Sequence, residues 1–419
     1  FQLTYNAADS VIVGKYVGEQ ALAAVGTSTP IMNIAILLIS GMCMGASVLM
    51  SSQYGAKDYD TLSRQISTTM LAGCGFSVVF SLLMLLLANP VLRLIRVPET
   101  AIPEAAAYLR IIFMGLIFTF MYNFLANTMR ALGDSKTPLY FLVTSAFLNI
   151  FGDLFFVVVL RWGVAGSAIA TVCSEGLCCL LCGIYIKKKI PLLCLGKKWW
   201  VFDKSLLGKT VSYGSTSAMQ QVCLQLGKLI IQSVVNTQGV AVMAAFTAVN
   251  RVDDFAYTPQ QNIGHAMTTF LAQNKGAGHK ERMKKGFQTG LLIELVYSIG
   301  LFCVIWGLAP QIMTLFAEDG DAQVVSLGIS YLHLISWMYI LPGLTNGVQG
   351  FFRGIGDLKV TLYSTFMNMF GRVVAVFVMI RLLQMEFASL AWANMVGWIV
   401  MLLFEVPLLV KSMRNGECG

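Results

Sequence analysis

The chain has 419 residues, of which 57% are hydrophobic and only 12% charged, against roughly a quarter charged in ordinary soluble domains. That composition belongs in a bilayer and excludes a large soluble domain. Its 29 Lys and Arg against 21 Asp and Glu give a net charge of +8, an excess that in a membrane protein marks cytoplasmic loops and does not imply nucleic acid.

Apolar runs of about 20 to 30 residues, the length a helix needs to cross a bilayer, recur in place of ten-residue alternating strands. They argue against an outer-membrane barrel. Twelve spans are predicted, over 1–16, 22–50, 66–88, 105–127, 138–160, 163–186, 206–235, 240–271, 287–309, 323–348, 359–381 and 387–410. The sequence opens inside an apolar run without Met, so the first helix is expected to be truncated. The fold class is an all-α polytopic membrane protein.

Connections after even-numbered spans, together with the tail, hold twenty of the Lys and Arg, whereas those after odd-numbered spans hold six. By the positive-inside rule the richer side is cytoplasmic. The carboxyl terminus is therefore expected in the cytoplasm and the chain in the cell (inner) membrane. Residues 188–205 form a basic linker whose Trp199 and Trp200 suit the headgroup level of anionic lipid. They separate an amino-terminal six-helix lobe, 1–187, from a carboxyl-terminal one, 206–411, with a cytoplasmic tail at 412–419.

The lobes repeat each other. Gly18-x4-Ala23-Ala24 recurs at Gly239-x4-Ala244-Ala245, and Gly55-Ala56 at Gly276-Ala277, both 221 residues on. Arg130-Ala-Leu-Gly-Asp-Ser-Lys-Thr-Pro-Leu-Tyr140 matches Arg353-Gly-Ile-Gly-Asp-Leu-Lys-Val-Thr-Leu-Tyr363 in six of eleven positions, 223 residues on. Six spans per repeat send both lobes into the membrane in the same direction, the parallel arrangement of some secondary transporters, with substrate expected between the bundles.

Ionisable residues inside spans mark pathways or coupling sites. Asp9, Asp153, Glu175, Asp253, Asp254, Glu294 and Glu405 qualify. Tyr5 and Asp9 are four apart, as are Asn149 and Asp153, so each pair shares a helical face. Their oxygens can coordinate a hard monovalent cation or share a proton. Asp253 and Asp254 follow Arg251 closely enough for an internal ion pair or, equally, a substrate contact, while Lys228 and Arg372 are placed either to neutralise carboxylates of the second lobe or to line the cleft, for which Glu175 is a further candidate. Glu175 suits a hydrogen bond between helices, and Glu405, near the cytoplasmic end, is expected to snorkel.

Cys178-Cys179-x-x-Cys182 reads as helix interior and not as a metal site, and His265, His279 and His333 have no ligand spacing. No P-loop appears, so ATP is not expected to drive the protein. The partners expected are a coupling ion, membrane lipid and amphipathic small molecules. No cofactor is expected, and no metal beyond a coupling Na+.

Asn6-Ala-Ala-Asp-Ser-Val-Ile-Val-Gly14, Ala21-Leu-Ala-Ala-Val-Gly26, Gln53-Tyr-Gly-Ala-Lys-Asp58, Arg130-Ala-Leu-Gly-Asp134 and Gly163-Val-Ala-Gly-Ser-Ala-Ile-Ala-Thr171, in this order and duplicated, resemble the multidrug and toxic compound extrusion (MATE) family over essentially the whole chain. The resemblance implies two six-helix bundles in a V, exporting amphipathic, often cationic compounds by antiport with H+ or Na+. It further implies a cation site of the bacterial and archaeal branch at Asp9, Tyr5, Asn149, Asp153 and Thr171, with Asn123 and Asn127 as weaker candidates. Asn368-Met-Phe-Gly-Arg372 aligns with Asn149-Ile-Phe-Gly-Asp153 and puts Arg in place of the acid. Coupling is thereby assigned to the first lobe.

The alternatives are a lipid-linked oligosaccharide flippase of the same superfamily, a passive channel, or an integral-membrane enzyme. The enzyme would need clustered His, Asp and Glu at one membrane face, and the scattered histidines argue against it.

Overall fold

A computed structural model describes residues 12–94, 97, 99, 101–190, 200–316, 322–383, 387 and 389–414. Among these residues the chain is helical, with no strand. Residues 12–16 are helical, followed by α1 (Glu19–Gly55), α2 (Tyr59–Leu94), α3 (Ile102–Met114), α4 (Leu116–Ala131), α5 (Lys136–Asp153), a π-helical turn (Leu154–Val159) and α6 (Gly163–Lys189). Then come α7 (Lys204–Val235), α8 (Val240–Gly276), α9 (Lys280–Phe316), α10 (Ala322–Ser336), a 3-10 turn (Trp337–Tyr339), α11 (Ile340–Ile355), α12 (Leu358–Val376), a second π-helical turn (Phe377–Leu382) and α13 (Ser389–Arg414).

The predicted spans fall on these helical stretches, the fourth across α3 and α4, the tenth across α10, the 3-10 turn and α11, and the fifth and eleventh running into the π-helical turns; the first is described from residue 12 onward. Among the described residues, eight helices are long and apolar enough to cross a membrane, or nine if α3 and α4, bent by 45° at their junction, count as one span. α7 and α8 are not among them; α8 carries Arg251, Asp253, Asp254 and Lys275.

The repeat is a structural one. Gly18 and Gly239 leave their helices with φ of 118° and 107°, Lys57 and Gly278 with 58° and 73°, and Gly133 and Gly356 with 94° and 87°. Left-handed backbone suits glycine, and the pairs stand at the same 221 and 223 offsets as the sequence motifs. The fourth span of each half is broken at matching places, Gly115 and Trp337–Tyr339. The π-helical turns, 154–159 and 377–382, also lie 223 residues apart. That spacing corrects the alignment above. With no gap between the Gly133/Gly356 turns and the π-turns, Arg372 stands opposite Asn149, and Val376 opposite Asp153.

By internal contacts the chain forms two units, Phe1–Tyr54 with Asp58–Ala218 and Gly55–Lys57 with Met219–Gly419. The start of α7 belongs to the first because α2 grips it. Arg64 pairs with Asp203, Val201 O accepts from Ser67 Oγ at 2.9 Å, and Gln65 Nε2 donates to Thr210 Oγ1 at 2.5 Å. The first unit buries Tyr108, Leu109, Phe113, Phe120 and Phe124, and the second Tyr331, Ile335 and Tyr339 in one cluster and Phe351 in another. Between lipid-embedded helices such packing, together with close approach at small residues, replaces the hydrophobic drive of water.

Candidate functional site

α5 and α6 approach closely because Gly152 meets Ala170; a Cβ added at Gly152 would lie 3.0 Å from Ala170 Cβ. This contact brings Asn149 and Thr171 together, with Asn149 Nδ2 donating to Thr171 Oγ1 at 3.1 Å. Thr171 in turn donates to Ser167 O of its own helix at 3.1 Å. Asn149 Oδ1 accepts no hydrogen bond, which leaves a carbonyl oxygen for a cation or a proton donor. Asp153, one turn along the same face of α5, is fully buried. Charge at such a place is costly unless it is neutralised. Tyr5 and Asp9 lie outside the described residues.

One turn beyond Thr171 on α6, Glu175 accepts from Thr119 Oγ1 of α4 at 2.5 Å, the hydrogen bond between helices that its position suggested. Asn123 Nδ2 donates to Thr119 O at 2.9 Å and Asn127 Nδ2 to Asn123 O at 2.8 Å. Both amides therefore spend a donor on their own helix. Cys178 and Cys182 are buried in α6, as a helix interior requires.

In the second unit the expected Arg251 partnership gives way to others. Asp254 pairs with Lys228 at 3.0 Å, so Lys228 does neutralise a carboxylate. Asp253 faces the other way, fully enclosed, and accepts from Tyr331 at 2.9 Å and Tyr339 at 2.6 Å. Asn394 Nδ2 donates to the Tyr331 hydroxyl at 2.8 Å. Arg251 is exposed and Arg372 half-buried. Glu405 does not snorkel: α13 packs against α11 and α12, and the carboxylate is fully buried.

Tyr331, Tyr339 and Asn394 escaped the sequence reading, which looked for charge. The repeat could have found them. At the same offsets Tyr331 matches Tyr108, Asp253 matches Met32 and Asn394 matches Thr171. In the first unit Tyr108 Oη lies 3.7 Å from Met32 Sδ, so one contact is kept while an acid replaces a thioether.

The MatE family profile matches residues 1–155 and 217–378. The chain is 31% identical over 364 residues to "Probable multidrug resistance protein YpnP" of Bacillus subtilis strain 168, covering 86% of this chain and 80% of that protein. It is 29% identical over 367 residues to "Probable multidrug resistance protein YoeA" of the same strain, covering 85% and 78%. Its fold is similar to that of a solved MOP superfamily transporter from Pyrococcus furiosus, with a TM-score of 0.91 at 21% identity over 99% of this chain and 93% of that one.

Proposed function

From the premise that the chain belongs to the MatE family and is a multi-pass membrane transporter, not an enzyme, we propose that it exports amphipathic, often cationic small molecules by antiport with H+ or Na+. The observation that carries the coupling is the placing of Asp153, buried within the fifth span one turn from an Asn149 that is bonded to Thr171. A carboxylate, an amide oxygen and a hydroxyl make a set that a proton or a small hard cation can satisfy.

Ion binding there drives export only through a difference in affinity between states of the transporter. An ion that neutralises Asp153 removes the cost of its buried charge and favours the state in which the helices close on it; its release favours the state that takes up drug. Asp9 and Tyr5 are assigned to the same site on the strength of the family resemblance. The asymmetry of basic residues supports a cytoplasmic carboxyl terminus in the cell membrane.

Efflux of a cationic dye from proteoliposomes, under an imposed pH gradient and separately under an imposed Na+ gradient, tests this reading. Acceleration by one of them is expected. Equal rates with and without both would overturn the antiport reading.

A further inference from the structure

Glu294 of α9 is fully buried, and neither carboxylate oxygen has a hydrogen-bond partner. The ion pairs Arg64–Asp203, Arg93–Glu99 and Lys228–Asp254 do not reach it. A bare ionised carboxylate in such a place costs several kcal/mol or more. The carboxyl packs where only a glycine fits: a Cβ added at Gly343 would meet Ser298 Oγ at 2.9 Å, Gln260 Nε2 at 3.2 Å and Glu294 Oε2 at 3.4 Å, so the three polar groups converge on Gly343.

The repeat shows that this polar contact is particular to the second unit. Glu294 and Gly343 match Gly73 and Phe120 by the 221 and 223 offsets. In the first unit the Phe120 ring fills the place, so that a Cβ at Gly73 would come within 1.9 Å of it. Large and small have exchanged helices, and the large partner has become an acid.

This polar cluster lies against the break in the tenth span. Tyr339 O, at the end of the 3-10 turn, accepts from Gln260 Nε2 at 2.8 Å, and Gln260 Nε2 also donates at 3.1 Å to Ser298 Oγ, whose single proton lies closest to Glu294 O of its own helix, at 2.7 Å, with Tyr339 O at 3.3 Å. A 3-10 segment within a helix often marks a hinge. Gln260 Nε2, the donor that holds this one, also converges with Glu294 Oε2 on Gly343.

We propose that Glu294 is a proton-binding site of the second unit, separate from Asn149, Asp153 and Thr171, and that its protonation decides whether Gln260 holds the broken helix at Tyr339. With the proton on, the carboxyl is neutral and the Gln260 amide stays on Tyr339 O. With the proton off, the carboxylate draws the Gln260 amide and the Ser298 hydroxyl to itself, because an unsolvated charge gains more from a donor than a carbonyl does. The turn is then released.

The other titratable groups on α9 and the elements packed against it are engaged elsewhere or distant. On α9 itself Tyr297 donates to Ala256 O, and Lys280, Glu281, Arg282, Lys284 and Lys285 lie nine or more residues before Glu294. On α8 Asp253 is held by Tyr331 and Tyr339, Asp254 by Lys228, His265 contacts Arg353, Tyr257 stacks edge-on to Tyr339, Lys275 donates to Ile355 O, and Arg251 is exposed. On α10 His333 stacks on Trp306, twelve residues beyond Glu294. Tyr331 and Tyr339 of the tenth span are those that hold Asp253, and Arg353 of α11 is the His265 partner.

The test uses the full chain in lipid vesicles. Infrared difference spectra across a pH titration should contain a protonated-carboxyl band that Glu294→Gln removes and Asp153→Asn leaves. Hydrogen exchange at 337–343, normalised to intrinsic rates, should rise with pH in the unaltered protein and stay at its low-pH level in Glu294→Gln, which keeps the neutral shape. A band and an exchange profile unchanged by Glu294→Gln would overturn the proposal. Both readouts are independent of drug efflux, so failure of the antiport reading leaves them interpretable.

Discussion

Gly73 against Phe120 in the first unit and Glu294 against Gly343 in the second occupy matching places in the repeat, yet one is a packed aromatic contact and the other an enclosed acid. The same divergence separates the Tyr108–Met32 contact from Tyr331–Asp253. Duplication has preserved the backbone turns, the broken fourth span and the π-helical turn, while the buried side chains have diverged. Backbone geometry is set by a few left-handed residues and by helix continuity, whereas a buried contact is rewritten by two substitutions that exchange volume across a helix pair.

The largest effect on stability is expected where that exchange is undone. Gly73→Ala drives a Cβ into the Phe120 ring and should cost about 1–3 kcal/mol in thermal unfolding, as overpacking does; Phe120→Leu in the same chain should recover part of it. Next comes Asp253→Asn, which removes the charged acceptor shared by Tyr331 and Tyr339 and should cost about 1–2 kcal/mol, the scale of hydrogen bonds between membrane helices. If that variant is neutral, the tyrosine cluster is not what distinguishes the second unit.

Smaller effects sharpen the comparison. Asp58 caps α2 by accepting from Thr61 N at 3.1 Å, and this bonding to Thr61 holds its carboxyl below the usual range. A depressed folded value means that the contribution is present above the unfolded pKa and is lost as pH falls through the folded one. Asp58→Ala should cost about 1 kcal/mol at neutral pH, and the difference should shrink in acid. The matching residue of the second unit is His279. Thr171→Val deletes the hydroxyl that accepts from Asn149 and should cost only about 0.6 kcal/mol in stability, with a clearer loss in the ion dependence of efflux.

The helices were legible because apolar runs of membrane length have few other readings, and the repeat was legible because Gly18, Gly133 and their partners are fixed by backbone conformation. Asn149 and Asp153 could be named from their four-residue spacing, and Thr171 from the family resemblance. Glu294 was visible as an acid within a span, but the residues that enclose it, Gln260, Ser298, Tyr339 and Gly343, come from three stretches of chain and share no local pattern. The misplaced alignment of Asn368 with Asn149 followed identical letters, where the continuous helix between two matching turns forbids a four-residue gap. The change of sign at Glu405, from snorkelling to burial, depended on which helices cover α13, and hydropathy does not carry that information.

The assignment of coupling to the first unit rests on Asp153, and dye efflux by Asp153→Asn in proteoliposomes measures it most directly. The neutral amide keeps the shape of the site and removes its exchangeable charge. Loss of gradient-driven efflux, with thermal unfolding unchanged or raised, is the predicted result. Full efflux that still responds to the imposed ion gradient would contradict it and move the coupling elsewhere in the chain.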